Sequence, residues 1–469
     1  MRALAGFIDA ALIAGQTRVE GSGEALDTTA FGAMAAHVAQ SLSSLGLLPS
    51  EPVHIVIGNR PRDLAALLGI WRAGGVAVPV HVSTPDAVRA ALQARTKARF
   101  AVDGAEVRQI ADDLPPPRPL LQDAAVIVFT SGSTGEPKGV VLGHGRLAGK
   151  LAVLARILNI HIEDAIIAPL QLNFIFGIWV GLLTMMSGAR LVLLPRFSVD
   201  AARESFREGA TVFGCVPTML RMLMAEESIA APKLRMILTG GEPLGAALAR
   251  TIRSRLPNAA MFDLFGLTET GSCDFCLAPS DQPQGLGTIG KPTENVAFRI
   301  AADGASGGEL QIKTPYGMLG YLDNPALTES AFSDGFFCTG DLARLREDGR
   351  VELVGRAKEI VSRAGHKIAP LEIDGLLAEH PDVAAALTAG VPDAQVGERL
   401  HVVVVARPGA ALDEAALRAW AAERIERYKL PDAFHFRDAL PLGRTGKADR
   451  GAVASLVQET TKCGREIQP

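Results

Sequence analysis

The chain has 469 residues, of which 48% are hydrophobic and 21% charged, with a formal net charge of −4. That length exceeds one compact core and implies two or three structural units. The composition excludes a disordered chain, and the charge excludes a basic field that would draw in nucleic acid or anionic lipid.

The opening stretch, MRALAGFIDAALIAG, has one Arg, and Asp9 interrupts its apolar run. It reads as an amphipathic first helix and not as a signal peptide. VHIVIGN (53–59) has the look of a strand, RDLAALLGIWRAG (62–74) of a helix, and VAVPVHV (76–82) of a second strand. AVIVF (125–129) is another strand. The stretch 165–189 has no charge, yet Pro169, Gln171, Asn173 and Gly177 break it, so a strand, a loop and a core helix fit better than a membrane span. ARLVLLP, TVFGCVP, LRMILTGG and AMFDLFG repeat the strand pattern, with helix-length amphipathic segments between them. This alternation predicts an α/β fold of helix-covered, mostly parallel sheets, since parallel strands need crossover connections.

Near residue 356 the pattern changes. EIDGLLAEH reads as a helix, LHVVVVA as a strand, DEAALRAWAAERIER as a helix and AFHFR as a strand, followed by a loop rich in Gly, Arg and Lys. We therefore expect a large N-terminal domain over 1–355 and a small mobile α+β domain over 356–469. Five scattered cysteines, an odd number, argue against a disulfide framework and for a reducing compartment. The CDFC pair, Cys273 and Cys276, is a weak metal or redox signal without a second pair nearby. The expectation is a soluble, cytoplasmic protein, monomeric or homodimeric, with neither a membrane span nor a nucleic-acid partner.

The strand at 125–129 runs into FTSGSTGEPKGVV (129–141), with three glycines, four hydroxyl side chains and a lysine. Glycines let a backbone approach a ligand, and Ser, Thr and Lys donors around them suit a polyphosphate. Ligands in parallel α/β sheets gather at such strand ends. The spacing is not that of a Walker loop, which needs Gly, four residues, then Gly-Lys-Ser/Thr. A flexible surface turn is the plain alternative for this stretch taken alone.

Four more stretches follow in order: DLFGLTET (263–270), GFFCTGDLA (335–343), GRAKEIVSRAGHKIAPLEID (355–374) and LPLGRTGKADR (440–450). Together with the first they resemble the signature motifs of the adenylate-forming superfamily, which includes acyl- and aryl-CoA synthetases, peptide-synthetase adenylation domains and luciferases. The resemblance spans essentially the whole chain, with Phe265 where the family usually has Tyr. It implies activation of a carboxylic acid by ATP and Mg²⁺ to an acyl-AMP, with pyrophosphate released. Two anions must meet in that step, so cationic groups have to offset their repulsion.

By the same resemblance, Thr130, Ser131, Gly132, Ser133, Thr134, Gly135 and Lys138 would hold the departing phosphates. Thr268 would donate to the α-phosphate and Glu269 would be the Mg²⁺ ligand. Asp341 would accept the ribose hydroxyls, with Arg356 beside it. Gly240, Gly241, Glu242 and Pro243 would line the adenine and acyl pockets, joined by Asp263, Leu264, Phe265 and Gly266; the two glycines would be small so that nucleotide can lie against the backbone. Lys447 would bridge the carboxylate and the α-phosphate. Lys358 matches the hinge, and Gly365 would line the route of the incoming thiol.

Coenzyme A is the expected acceptor, ahead of a carrier-protein phosphopantetheine or an amine, because APLEI (369–373) and Lys358 look most like CoA ligases. For the acid, Asn173 and Phe174 resemble the Asn-aromatic pair of aryl-acid-activating relatives, which points to an aryl or arylalkenyl acid. The alternative is that Asn173 caps the following helix. Phe213, Cys215, Phe265, Leu267 and Cys276 would supply more of the wall.

Overall fold

The computed structural model describes residues 3–13, 18–130, 137–301, 307–443 and 447–463. Two large sheets form most of the structure. One has seven strands, with Val76–His81, Pro52–Ile57 and Phe100–Asp103 parallel at its centre and the Ala124–Thr130/Lys138–Gly143 hairpin at one side. The other has nine, of which six run parallel: Ala260–Phe265, Met236–Gly240, Val212–Cys215, Ala165–Ala168, Arg190–Leu193 and Arg18–Gly21. The fold is thus α/β, as the strand–helix alternation implies.

The helix Pro61–Arg72 shows how the core is assembled. Pro sits at its first turn, and the fully buried Asp63 carboxylate accepts from the backbone N–H groups of Gly58 (2.7 Å) and Arg60 (2.9 Å). Ten of its twelve residues are buried, and the Trp71 indole donates to the Ala125 carbonyl at 2.8 Å. Each such fully buried Leu or Ile contributes roughly 1.5–3 kcal/mol. The first helix, Ala3–Ile13, buries Leu4, Ile8 and Leu12 at four-residue spacing, and its Asp9 pairs with Arg72 at 2.5 Å. The uncharged stretch 165–189 resolves into the strand Ala165–Ala168, a loop and the buried helix Ile175–Met186. Among the described residues, no helix is long and apolar enough to cross a membrane.

A five-stranded antiparallel sheet over 297–356 was not foreseen from the sequence; it ends at Arg356, and the next sheet begins at Val361. That last sheet holds Val361–Arg363, His366–Ile368, Gly397–Ala406, Val383–Asp393 and Ala433–Phe436, covered by the helices Pro370–Leu377, Glu414–Ala422 and Arg450–Cys463. The strand Val383–Asp393 was also missed. Four of the six parallel strands of the nine-stranded sheet lead, at their carboxyl ends, into the segments 169–174, 216–218, 241–245 and 266–274, and the candidate site is assembled from these.

Candidate active site

The strands Met236–Gly240 and Ala260–Phe265 are adjacent and parallel, with Gly240 opposite Leu264, so the loops that follow them are neighbours. In the second loop the Glu269 carbonyl accepts from Met318 N–H at 2.7 Å, and a Glu269 carboxylate oxygen accepts from the Tyr321 hydroxyl at 3.2 Å. Burial and the Glu269 charge both raise the Tyr321 pKa, so the phenol remains a donor. Lys138 lies 5.5 Å from the Tyr321 ring and opposite Thr130 in the hairpin, which brings Lys138, Tyr321 and Glu269 together. Tyr321 has no counterpart in the sequence reading. Ser131, Gly132, Ser133, Thr134 and Gly135 lie outside the described residues.

Asp341 is 3% exposed. One carboxylate oxygen accepts from Arg356 Nε at 2.7 Å; the other is buried with no hydrogen-bond partner. An unsatisfied buried carboxylate oxygen costs free energy unless a ligand donor reaches it, and a vicinal pair of hydroxyls is such a donor. Burial raises the Asp341 pKa, and Arg356 works against the shift.

From the loop between the strand Ala433–Phe436 and the helix Arg450–Cys463, Lys447 reaches across to the segment that follows the strand Met236–Gly240. Gly241 has φ +83°, and a Cβ there would stand 2.9 Å from Lys447 Nζ. Burial lowers the Lys447 pKa, while the charge of Glu242 opposes the shift and that of Arg356 adds to it. Glu242 itself accepts from the Thr218 N–H (3.2 Å) and hydroxyl (2.7 Å), and Arg221 stands 3.4 Å away. Its other carboxylate oxygen is buried and unpaired. At Gly240 a Cβ would collide with the Leu264 carbonyl of the next strand, so the sheet by itself requires glycine there. Gly266 is likewise closed in by the Cys273 backbone. Leu264 is a core side chain, Phe265 packs edge-on against Phe275, and burial lifts Asp263 to about 7.

On the acid side, three readings change. Asn173 does not cap the helix: Phe174 is the cap residue, with no side-chain capping bond, and the Asn173 Oδ1 is buried without a hydrogen-bond partner. Phe213 is not a pocket wall. Its ring stacks on Phe197 and meets Phe206 edge-on, at 0% exposure, in the core beneath the helices. Cys215, two residues on along the same strand, belongs to the same core cluster, so it too lies in the core. Cys276 is buried opposite Leu264, and Leu267 is half-buried against the core. Burial pushes the Cys276 thiol up to about 12 and Cys273 higher still, which leaves the CDFC pair as two inert thiols. Asn59, not foreseen, fixes the 170–172 segment by donating to the Leu170 and Leu194 carbonyls and accepting from Leu172 N–H.

Lys358 is exposed in a short 3-10 turn, Ala357–Glu359, between the last two sheets. Gly365 is exposed at the tip of the Val361–Arg363/His366–Ile368 hairpin, with φ +84°.

A family model described as "AMP-binding enzyme" matches residues 9–116 and 89–322, and a second, "AMP-binding enzyme C-terminal domain", matches 372–447. The chain belongs to the AMP-binding enzyme family. Within this family, a sulfoacetate–CoA ligase from Cupriavidus necator is 34% identical over 400 residues, 83% of this chain and 76% of that one. A feruloyl-CoA synthase from Amycolatopsis sp is 30% identical over 472 residues, 93% and 95% of the two chains. Among solved structures, the O-succinylbenzoate CoA synthetase of Bacillus subtilis, in complex with ATP and magnesium ion, superposes with a TM-score of 0.81 at 25% identity, covering 95% of this chain and 98% of that one. The chain is an enzyme of the acid–thiol ligase class.

The residues present fit the Mg²⁺ that such ligases use. Among the described residues no cluster of three or more metal-ligating side chains occurs. A single carboxylate, Glu269, is oriented by Tyr321 beside Lys138. One carboxylate supplemented by phosphate oxygens and water is how proteins usually hold this ion next to a nucleotide.

Proposed function

We propose that the protein activates an aryl or arylalkenyl carboxylic acid with Mg²⁺ and ATP, and transfers the acyl group to the thiol of coenzyme A. In the first step a carboxylate oxygen attacks the α-phosphorus and the bond to pyrophosphate breaks, giving acyl-AMP. In the second the thiol sulfur attacks the acyl carbon, AMP leaves, and the thiol proton passes to solvent. When bound, Mg²⁺ would supply positive charge that offsets the repulsion between the anions.

The chain's own groups divide the work. Lys138 and the 130–135 segment hold the departing phosphates, Thr268 donates to the α-phosphate, and Glu269 provides the carboxylate for the ion. Asp341 and Arg356 receive the ribose; Asp263, Leu264, Phe265 and Gly266, with Gly240 to Pro243, border the base and the acid. Lys447 offsets charge where carboxylate meets α-phosphate, and that residue carries the reading. Its Nζ lies against Gly241, within the field of Glu242 and Arg356, although it belongs to the other structural unit. A half-buried ammonium brought there from the C-terminal unit suits the meeting of two anions. The unpaired Asn173 Oδ1 beside Phe174 supports a ring-bearing acid with a donor substituent. Units 1–355 and 356–469 move relative to one another between the two steps, with Lys358 at the hinge and Gly365 on the thiol route. The enzyme works in the cytoplasm, where CoA is available.

A panel of benzoate-type, cinnamate-type and aliphatic acids, each with and without CoA, tests this reading. Acid-dependent release of pyrophosphate and AMP is expected, with thioester formed only when CoA is present. Release of ADP would refute it. Adenylate formation that CoA never discharges would move the acceptor to a carrier protein or an amine.

A further inference from the structure

We propose that Lys150 and Asp274 are positioning residues for the Thr268–Glu269 loop: a buried ion pair, out of reach of substrate, that sets the affinity of the site for a magnesium nucleotide. This rests on the ATP-dependent reading above and adds two residues that no signature motif contains.

Lys150 lies on the helix His144–Leu158, and its side chain is 0% exposed, as is that of Asp274. Its Nζ donates to the Cys273 carbonyl at 3.1 Å and stands 3.4 Å from one Asp274 oxygen and 5.0 Å from the Tyr316 ring. The second Asp274 oxygen accepts from the Thr270 hydroxyl, whose oxygen in turn receives the Leu267 N–H at 3.2 Å. The chain of contacts Lys150–Asp274–Thr270–Leu267 therefore brackets Thr268 and Glu269 from behind.

The backbone here needs such a clamp. Gly271, Ser272 and Cys273 have φ of +82°, +69° and +53°, three left-handed residues in succession, two of them not glycine. That conformation is disfavoured for L-residues and persists only where surrounding contacts impose it. The clamp continues on the far side: Arg146 donates to the Gly317 and Met318 carbonyls, at 2.9 and 2.5 Å, and Met318 N–H in turn holds the Glu269 carbonyl. A buried ion pair loses in desolvation much of what it gains in attraction, so it adds little stability over an apolar pair of the same volume. What it does supply is selection of one loop geometry. Removing a partner behind a metal-ligand carboxylate typically costs 10–100-fold in metal affinity.

The test measures binding by full-length protein, using adenosine without metal and the magnesium complex of α,β-methylene-ATP, alongside thermal unfolding. Lys150→Met should weaken the magnesium nucleotide by roughly tenfold or more and leave adenosine, which has no phosphate for Thr268 or the ion to meet, within about twofold. The double variant Lys150→Met/Asp274→Asn removes both charges; it should recover thermal stability without recovering affinity for the magnesium nucleotide. If Lys150→Met does not fold, Asp274→Asn reads the same split. Equal weakening of both ligands, or recovery of affinity together with stability in the double variant, would overturn the proposal. Failure of the unmodified protein to bind the magnesium nucleotide at all would instead count against the ATP-dependent reading.

Discussion

The loop over 266–274 and the loop over 441–449 both serve one cleft, yet they are held in different ways. The first is clamped by a buried ion pair, by the Met318 bond to the Glu269 carbonyl, and by Gly266 and Gly271, which have no room for a side chain. The second closes on itself: Gly443 N–H donates to the Lys447 carbonyl at 2.8 Å and Asp449 N–H to the Pro441 carbonyl at 2.9 Å. Its outer anchor is Arg450, paired with Glu359 at 3.1 Å and Asp374 at 2.6 Å, both within the C-terminal unit. The lysine loop is thus fastened to its own unit and to the turn at 357–359, while the glutamate loop is fastened to the large sheets. In the proposed two-step reaction, one set of charges stays fixed beside the nucleotide and another is delivered to it.

Removing the delivered charge gives the largest effect. Lys447→Ala should slow acid-dependent pyrophosphate release by on the order of 10²-fold or more, a typical loss for a positioned charge-stabilising group. Steady-state pyrophosphate assay with the preferred acid measures it.

The acid side of the fixed half comes next. Phe174→Ala should cost about 2 kcal/mol of transition-state binding for the preferred acid, roughly thirtyfold in kcat/KM, and less for short aliphatic acids. Unchanged selectivity across the acid panel would place the pocket elsewhere.

Stiffening the connection between the halves should act on the second step alone. Lys358→Pro fixes φ at an exposed turn between the two units. Thioester formation from acyl-AMP and CoA should fall by roughly tenfold, while adenylation persists. Single-turnover measurement of each step separates the two.

The smallest effect is one of pH. Burial raises Asp263 to about 7, so its carboxylate is ionised above that pH and takes up a proton below it. If the ionised form is the nucleotide-side acceptor, KM for ATP should rise about twofold between pH 8 and pH 7. Asp263→Asn should flatten that dependence. A KM that falls with acidification would show that the neutral form is the competent one.

Much of this was legible in the sequence where the signal is contiguous. Strand, helix and strand over 53–82 are short, strongly apolar and locally punctuated, and the observed elements match them closely. The antiparallel sheet over 297–356 was hidden because strands such as Ala297–Ala301 are half-exposed and carry little apolar pattern. Val383–Asp393 was hidden by its alanines, which suit a helix as well. Phe213 was misplaced because a central parallel strand is apolar on both faces, so the sequence does not say which face meets a ligand. Tyr321 lies 52 residues from Glu269 and Lys150 lies 124 from Asp274, separations that no local pattern reveals.

The division between a fixed and a delivered set of charges is tested most directly by giving Lys447→Ala synthetic acyl-AMP and CoA and following thioester formation in a single turnover. Lys447 offsets charge only while carboxylate meets α-phosphate, so the variant that has lost adenylation should form thioester at near the unmodified rate. Equal slowing of both steps would contradict the delivery of Lys447 to the cleft for the first step alone.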